Sequence, residues 1–144
     1  MVRWSVLLLF ALALLGCSED PSADVVGTWA VEVEESTLPK VDPAQMMAAQ
    51  MMLSSTRIEV REDGTFSLNL MASSKGTWKY DGKHLSIYPE GEELSRLAAV
   101  SPNGEVQLEV HPDRGQLVWP IESPIGAMKL VLVRAPAEEV QAQP

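Results

Sequence analysis

Along most of this chain the apolar residues recur at every second position. Trp29, Val31 and Val33 alternate with Ala30, Glu32 and Glu34. The same period returns at Ile58 and Val60, at Phe66, Leu68 and Leu70, at Trp78 and Tyr80, and at Leu85 and Ile87. It continues in Val106, Leu108 and Val110 and in Leu117, Trp119 and Ile121. Successive side chains point to opposite faces of a strand, so each run predicts a strand with one buried face. Ala127 to Val133 is apolar on both faces apart from Lys129 and predicts a closing strand, while Leu94 to Val100 fits a strand or a helical turn equally well.

Turn chemistry joins these runs at Asp63-Gly64, Asp81-Gly82, Asn103-Gly104 and Pro112-Asp113-Arg114-Gly115. Residues that face each other in a hairpin share one side of the sheet, which tests each register. A three-residue loop over residues 62–64 sets Val60 against Phe66 and Ile58 against Leu68, with Gly64 in the left-handed position. A two-residue Asp81-Gly82 loop sets Trp78 against Leu85 and Lys79 against His84. A four-residue loop over residues 112–115 pairs Val110 with Leu117. The expected fold class is therefore mainly β: an antiparallel meander of eight or nine strands, a sheet long enough to close on itself, as a small barrel of about eight strands, or to split in two.

One segment breaks the period. Pro43 to Ser55 predicts a helix capped by Asp42, with Pro43 in its first turn. Met47 and Met51 fall on one side, Met46 and Met52 flank them, and only Gln45 and Gln50 interrupt the apolar surface. Such a helix is expected to be buried nearly all round or to cover something apolar. It could plug the core, act as a lid over an apolar ligand, or offer thioethers to copper(I).

Val26-Gly27-Thr28-Trp29 opens the first strand, and a second Gly76-Thr77-Trp78 leads into Tyr80-Asp81-Gly82-Lys83-His84-Leu85. Together with a last strand ending in Arg134, these stretches resemble lipocalins and the shorter bacterial lipocalin-like domains over most of residues 25–134. The resemblance implies a barrel that holds a small apolar ligand. Trp29, Met47, Met51, Phe66, Trp78 and Trp119 are the candidate ligand contacts. It also implies that Trp29 packs beneath Arg134 to close one barrel end. The domain is shorter than a lipocalin and carries its helix directly after the first strand.

The chain begins differently. Arg3 is followed by the unbroken apolar run Val6 to Leu15, then by Gly16 and Cys17, the only cysteine among 144 residues. This is the layout of a secretory signal, and the run is too short to span a membrane as a helix. Leu14-Leu15-Gly16-Cys17 resembles the lipobox of bacterial lipoproteins. The resemblance implies cleavage before Cys17 and a diacylglycerol thioether on it. Two or three acyl chains, at roughly 0.8 kcal/mol per buried methylene, hold a protein firmly. Residues 1–16 then form a lipoprotein signal peptide, 17–24 the lipidated terminus and tether, 25–134 the barrel domain and 135–144 a disordered tail. Ser18 after the cysteine resembles an outer-membrane sorting signal. The expected place is the bacterial cell envelope, in a diderm the outer membrane facing the periplasm.

Charge narrows the partners. Residues 1–16 hold one of the 11 basic residues and none of the 20 acidic ones, so the remaining 128 residues carry 10 against 20, a net −10. A domain this acidic is repelled by nucleic acid and by anionic headgroups. The lipid on Cys17 must supply membrane attachment alone. His84 and His111 are the only histidines, both beside turns and on outward positions. No nucleophile motif, phosphate loop or zinc spacing occurs. No enzyme, cofactor or metal site is expected. Two classes remain: a carrier of a small apolar ligand, or an interaction or inhibitor module with a packed interior and an envelope protein as partner. Replacing Cys17 by serine is expected to release the protein from membranes and abolish acyl labelling; soluble wild-type protein starting at another residue would remove the lipoprotein reading.

Overall fold

Every period-two run becomes a strand. The computed structural model describes residues 20–70, 72–92, 105–123 and 126–136. The strands are β1 (Gly27–Thr37), β2 (Arg57–Val60), β3 (Thr65–Leu70), β4 (Ala72–Tyr80), β5 (His84–Glu90), β6 (Val106–His111), β7 (Gln116–Ser123) and β8 (Gly126–Arg134). The helix α1 (Pro43–Ser54) connects β1 to β2. Each strand pairs antiparallel with the next, and β8 returns to β1, so the sheet is a closed barrel. Closure removes the unpaired edges that an open sheet would present. The signal region, Cys17, the Leu94–Val100 segment and the tail beyond residue 136 lie outside the described residues.

Two of the three hairpin registers follow the loop arithmetic. Val60 faces Phe66 and Ile58 faces Leu68, with Gly64 at φ 84°. Val110 faces Leu117 across the 112–115 loop. The third differs. Trp78 pairs with Ile87 and Tyr80 with Leu85, so the turn is centred on Gly82-Lys83 rather than Asp81-Gly82. The cause is the Asp81 carboxylate, which accepts the backbone N–H of His84 at 2.6 Å and of Lys83 at 2.8 Å. This side-chain turn makes Asp81 the last residue before the bend. The slip is two residues, so every inward side chain stays inward.

Large inward residues meet small ones across the β3–β4 seam. Phe66 faces Gly76, and Leu68 faces Ser74. A Cβ on Gly76 would collide with the Tyr88 carbonyl oxygen and the Phe66 ring. β4 is therefore built where its sequence shows little apolar alternation. At the β1–β8 seam the pairing shifts between Glu32 and Thr37. The Ser36 hydroxyl repairs the gap: it donates to the Glu32 carbonyl at 2.7 Å and accepts the Val131 N–H at 3.0 Å.

One barrel end is closed by β1, β8 and the residues before them. Arg134 pairs with Trp29 in register, and its guanidinium lies 4.6 Å from the centroid of the indole. The same group donates to the carbonyls of Val26 (2.7 Å), Ala23 (3.1 Å) and Asp24 (3.2 Å). Trp29 Nε1 donates to the carbonyl of Val25 at 2.8 Å, and the Val25 side chain is fully buried. Pro21–Asp24, expected within the tether, thus forms a 3-10 turn held against the barrel. Gly27 has φ 139°, and any side chain there would displace the Arg134 tip. The 62–64, 82–83 and 112–115 loops lie at this end; α1 lies at the other.

Two outcomes follow for stability. Arg134→Gln is expected to cost about 1–3 kcal/mol through lost charge-assisted bonds and cation–π contact, read from urea unfolding. Gly76→Ala should cost at least as much, because the obstruction is backbone rather than a flexible tip; wild-type stability in either variant would contradict the geometry.

Acid sensitivity has a defined source. The Thr65 hydroxyl and amide donate to Asp63, and the amides of His84 and Lys83 donate to Asp81, holding both carboxyls below their ordinary value of 3.8. A folded value below the unfolded one adds stability that is complete above the unfolded value and is lost as pH falls through the folded one. Carboxyl NMR titration should therefore place both below pH 3.8. Asp63→Asn and Asp81→Asn should flatten part of the acid limb of the stability curve.

Candidate functional site

The barrel interior is graded along its axis. Trp29, Ile58, Val60, Phe66, Leu68, Leu85, Ile87, Leu108, Leu117 and Leu132 form a belt whose members are at most 1% exposed. Phe66, Leu85, Ile87, Leu117 and Leu132 expose nothing. A side chain bordering a water-sized void would show accessible surface, so the belt is packed shut. Nearer α1 the packing loosens. Val31, Val106, Trp119, Leu130 and Leu53 retain 5–8% exposure, and Val33, Leu38 and Ile121 are partly buried; at the closed end Val110 keeps 8%, and Trp78 and Tyr80 are partly buried beside the loops.

This gradient redistributes the residues singled out in the sequence. Trp29 and Phe66 belong to the sealed belt and border no space for a guest. Trp78 is half-buried at the closed end, where its Nε1 donates to the Arg61 carbonyl at 2.9 Å and so braces the 61–64 hairpin. Trp119 alone among the four aromatic candidates stands in the looser tier. Arg134 and Trp29 meet as described above. Cys17 lies outside the described residues.

The helix is where sequence pattern and structure part most clearly. Asp42 caps α1 through Oδ1, which accepts from Ala44 and Gln45, as expected. The expectation of a helix buried nearly all round does not hold. Leu53 is its buried residue, whereas Met47 is 66% and Met51 69% exposed. Neither methionine is brought to Trp29, Phe66 or Trp119. The last turn closes tightly instead: the hydroxyls of Ser54, Ser55 and Thr56 donate to the carbonyls of Met51, Met52 and Met52. Those bonds satisfy carbonyls that a helix end leaves without partners, and Leu53 beside them is buried in the core.

Sequence reasoning missed Val33, Leu38 and Ile121 as members of one site. Leu38 stands in an irregular segment after β1, with no periodicity to flag it. Val33 and Ile121 were legible as inward strand positions, but their place near α1 depends on barrel closure.

Elsewhere the surface chemistry is local. His84 lies 3.5 Å from Asp81 and His111 3.4 Å from Glu109, both at the closed end and on outward positions. Among the described residues, no group of three His, Cys, Asp or Glu side chains is placed to hold a metal ion. An open cleft of about 580 Å³ runs beside the N-terminal turn, lined by Asp20, Ser22, Ala23, Val26 and Glu62. The acidic Asp20 and Glu62 share its wall with Ala23 and Val26, so it is an open groove of mixed character under the turn.

No family model matches the chain, and no curated protein does. Among solved structures it is similar to the crystal structure of a lipocalin-like protein from Bacteroides uniformis ATCC 8492, at 15% identity and a TM-score of 0.44, covering 78% of this chain and 99% of that one. The architecture itself carries the fold assignment: with eight antiparallel strands in sequential order, β8 closed on β1 and a helix after the first strand, this chain is a closed up-and-down β-barrel.

Proposed function

We propose that this protein is a non-enzymatic lipoprotein of the bacterial cell envelope, anchored through a lipid on Cys17, whose barrel holds a small apolar ligand at its α1 end. A barrel of eight strands either fills with side chains or holds one small molecule. The observation that supports the second outcome is the packing toward α1: Val33, Leu38 and Ile121 are only partly buried there, and Trp119 and Leu53 keep 5–7% exposure, next to a belt at most 1% exposed. A guest would rest on that belt and be gripped by the looser tier. It would be held by apolar burial, because the described residues of the tier named above carry no charge.

Magnitudes bound the affinity. A short acyl chain burying about ten methylenes gains roughly 8 kcal/mol at 0.8 kcal/mol each, equivalent to micromolar binding before ordering costs. Micromolar or weaker binding is the expectation.

A second reading has its own observation. The sealed belt and the exposed Met47 and Met51 suit an interaction or inhibitor module that docks on an envelope protein, since methionine adapts to varied surfaces. The two readings separate in one titration. Medium-chain fatty acids should quench wild-type tryptophan fluorescence. Ile121→Asp should weaken that binding by tenfold or more, about 1.4 kcal/mol, and Trp119→Phe should remove most of the signal. Met47→Ala should leave affinity unchanged. Absence of quenching at any chain length would favour the interaction module.

A further inference from the structure

The anchor and the barrel are joined at a particular end. Asp20 is already part of the folded domain: its carbonyl accepts from Ala23, and its carboxylate accepts the Ser22 N–H at 3.0 Å. From there Arg134 holds the carbonyls of Ala23, Asp24 and Val26, and Val25 is buried beneath them. The chain is therefore stapled to the closed end from Asp20 onward. Only three residue steps separate Asp20 from Cys17. Whatever path they take, three steps span at most about 11 Å.

The barrel is longer than that reach. β7 and β8 have 8 and 9 residues. At about 3.3 Å per residue and a tilt near 40°, they make the barrel roughly 20 Å tall. The 62–64, 82–83 and 112–115 loops surround the stapled end, while α1 and the looser interior tier stand at the far end. The net charge of −10 derived above offers no attraction that would lay the barrel flat on headgroups.

We propose that the closed end of the barrel faces the membrane and that the α1 end, with Val33, Leu38 and Ile121, faces away into the aqueous compartment. This orientation rests on the lipid anchor at Cys17. The Arg134 contacts set it, because they shorten the seven-residue tether legible in the sequence to a few residues. The partner surface at the closed end is the lipid bilayer itself, approached through the covalent chains and not through headgroup binding. A ligand or protein that uses the α1 end then arrives from solvent.

The test uses acylated protein purified from membranes and reconstituted into phosphatidylcholine vesicles whose headgroups carry an energy-transfer acceptor. An azide-bearing residue replaces exposed Asp113 in one variant and exposed Gln50 in another, each coupled to the same donor dye. Transfer from position 113 should exceed transfer from position 50 several-fold, and the ratio should survive high salt. A flexible 20-residue Gly/Ser insert between Ser18 and Glu19 adds a reach of roughly 25 Å and should bring the ratio close to one without touching the barrel. Equal or reversed transfer in the uninserted protein would overturn the orientation while leaving the anchor in place. Protein that fails to float with the vesicles would overturn it through Cys17, a distinct failure read in the same preparation. A ratio unchanged by the insert would show that the short tether does not set the orientation.

Discussion

A sheet that closes on itself has one seam where its first and last strands must meet. Here that seam joins partners far apart in sequence: the Arg134 guanidinium and the Val26 carbonyl it binds lie 108 residues apart. Bringing such distant segments together costs loop-closure entropy, which local turns avoid. The arginine offsets part of that cost in one place. It stacks on Trp29, bonds three carbonyls and leaves room only for glycine at position 27. Each charge-assisted bond is worth about 1.5–3 kcal/mol and the stacking about 0.5–2 kcal/mol, with the exposed guanidinium placing them at the lower ends. The closed end, the docked N-terminal turn and the register of β1 on β8 all depend on this group.

Closure at one end leaves the other to be filled differently. The belt beside Trp29 is saturated because each inward strand position there is Leu, Ile, Val or an aromatic, and the β4 positions opposite Phe66 and Leu68 shrink to Gly76 and Ser74. Toward α1 the β1–β8 register shifts between Glu32 and Thr37, and Leu53 is the buried residue of the helix. The belt around Trp29 is the tightest part of the barrel, and the interior is looser toward α1. That asymmetry supports both proposals made for this chain: a guest has one tier to occupy, and the anchor is attached at the opposite end.

Much of this was legible in the sequence. The eight strands, their antiparallel order and two of three hairpin registers follow from period-two alternation and turn residues, since both act over a few residues. The Asp42 cap was legible for the same reason. The turn after Tyr80 was misplaced because two arrangements of Asp81-Gly82-Lys83 are compatible with the alternation. The two amide bonds to the Asp81 carboxylate, with the Asp81 N–H donating to the His84 carbonyl, separate them. β4 is longer than its pattern shows because its inward residues answer to neighbours on β3, and no local periodicity records that.

What the sequence by itself determined is the set of inward and outward positions, and with it an antiparallel meander, because side-chain alternation is a property of the strand alone and the turns are local. What only the tertiary structure decided is which of those inward positions share a level. That assignment sealed Phe66 and left Val33, Leu38 and Ile121 partly open. The helix shows the difference most plainly. Methionine and alanine surround α1 on nearly every side, so no pattern could choose its buried face. The choice fell to Leu53, beside the hydroxyls of Ser54, Ser55 and Thr56 that end the helix where it meets the core. Met47 and Met51 were left to solvent.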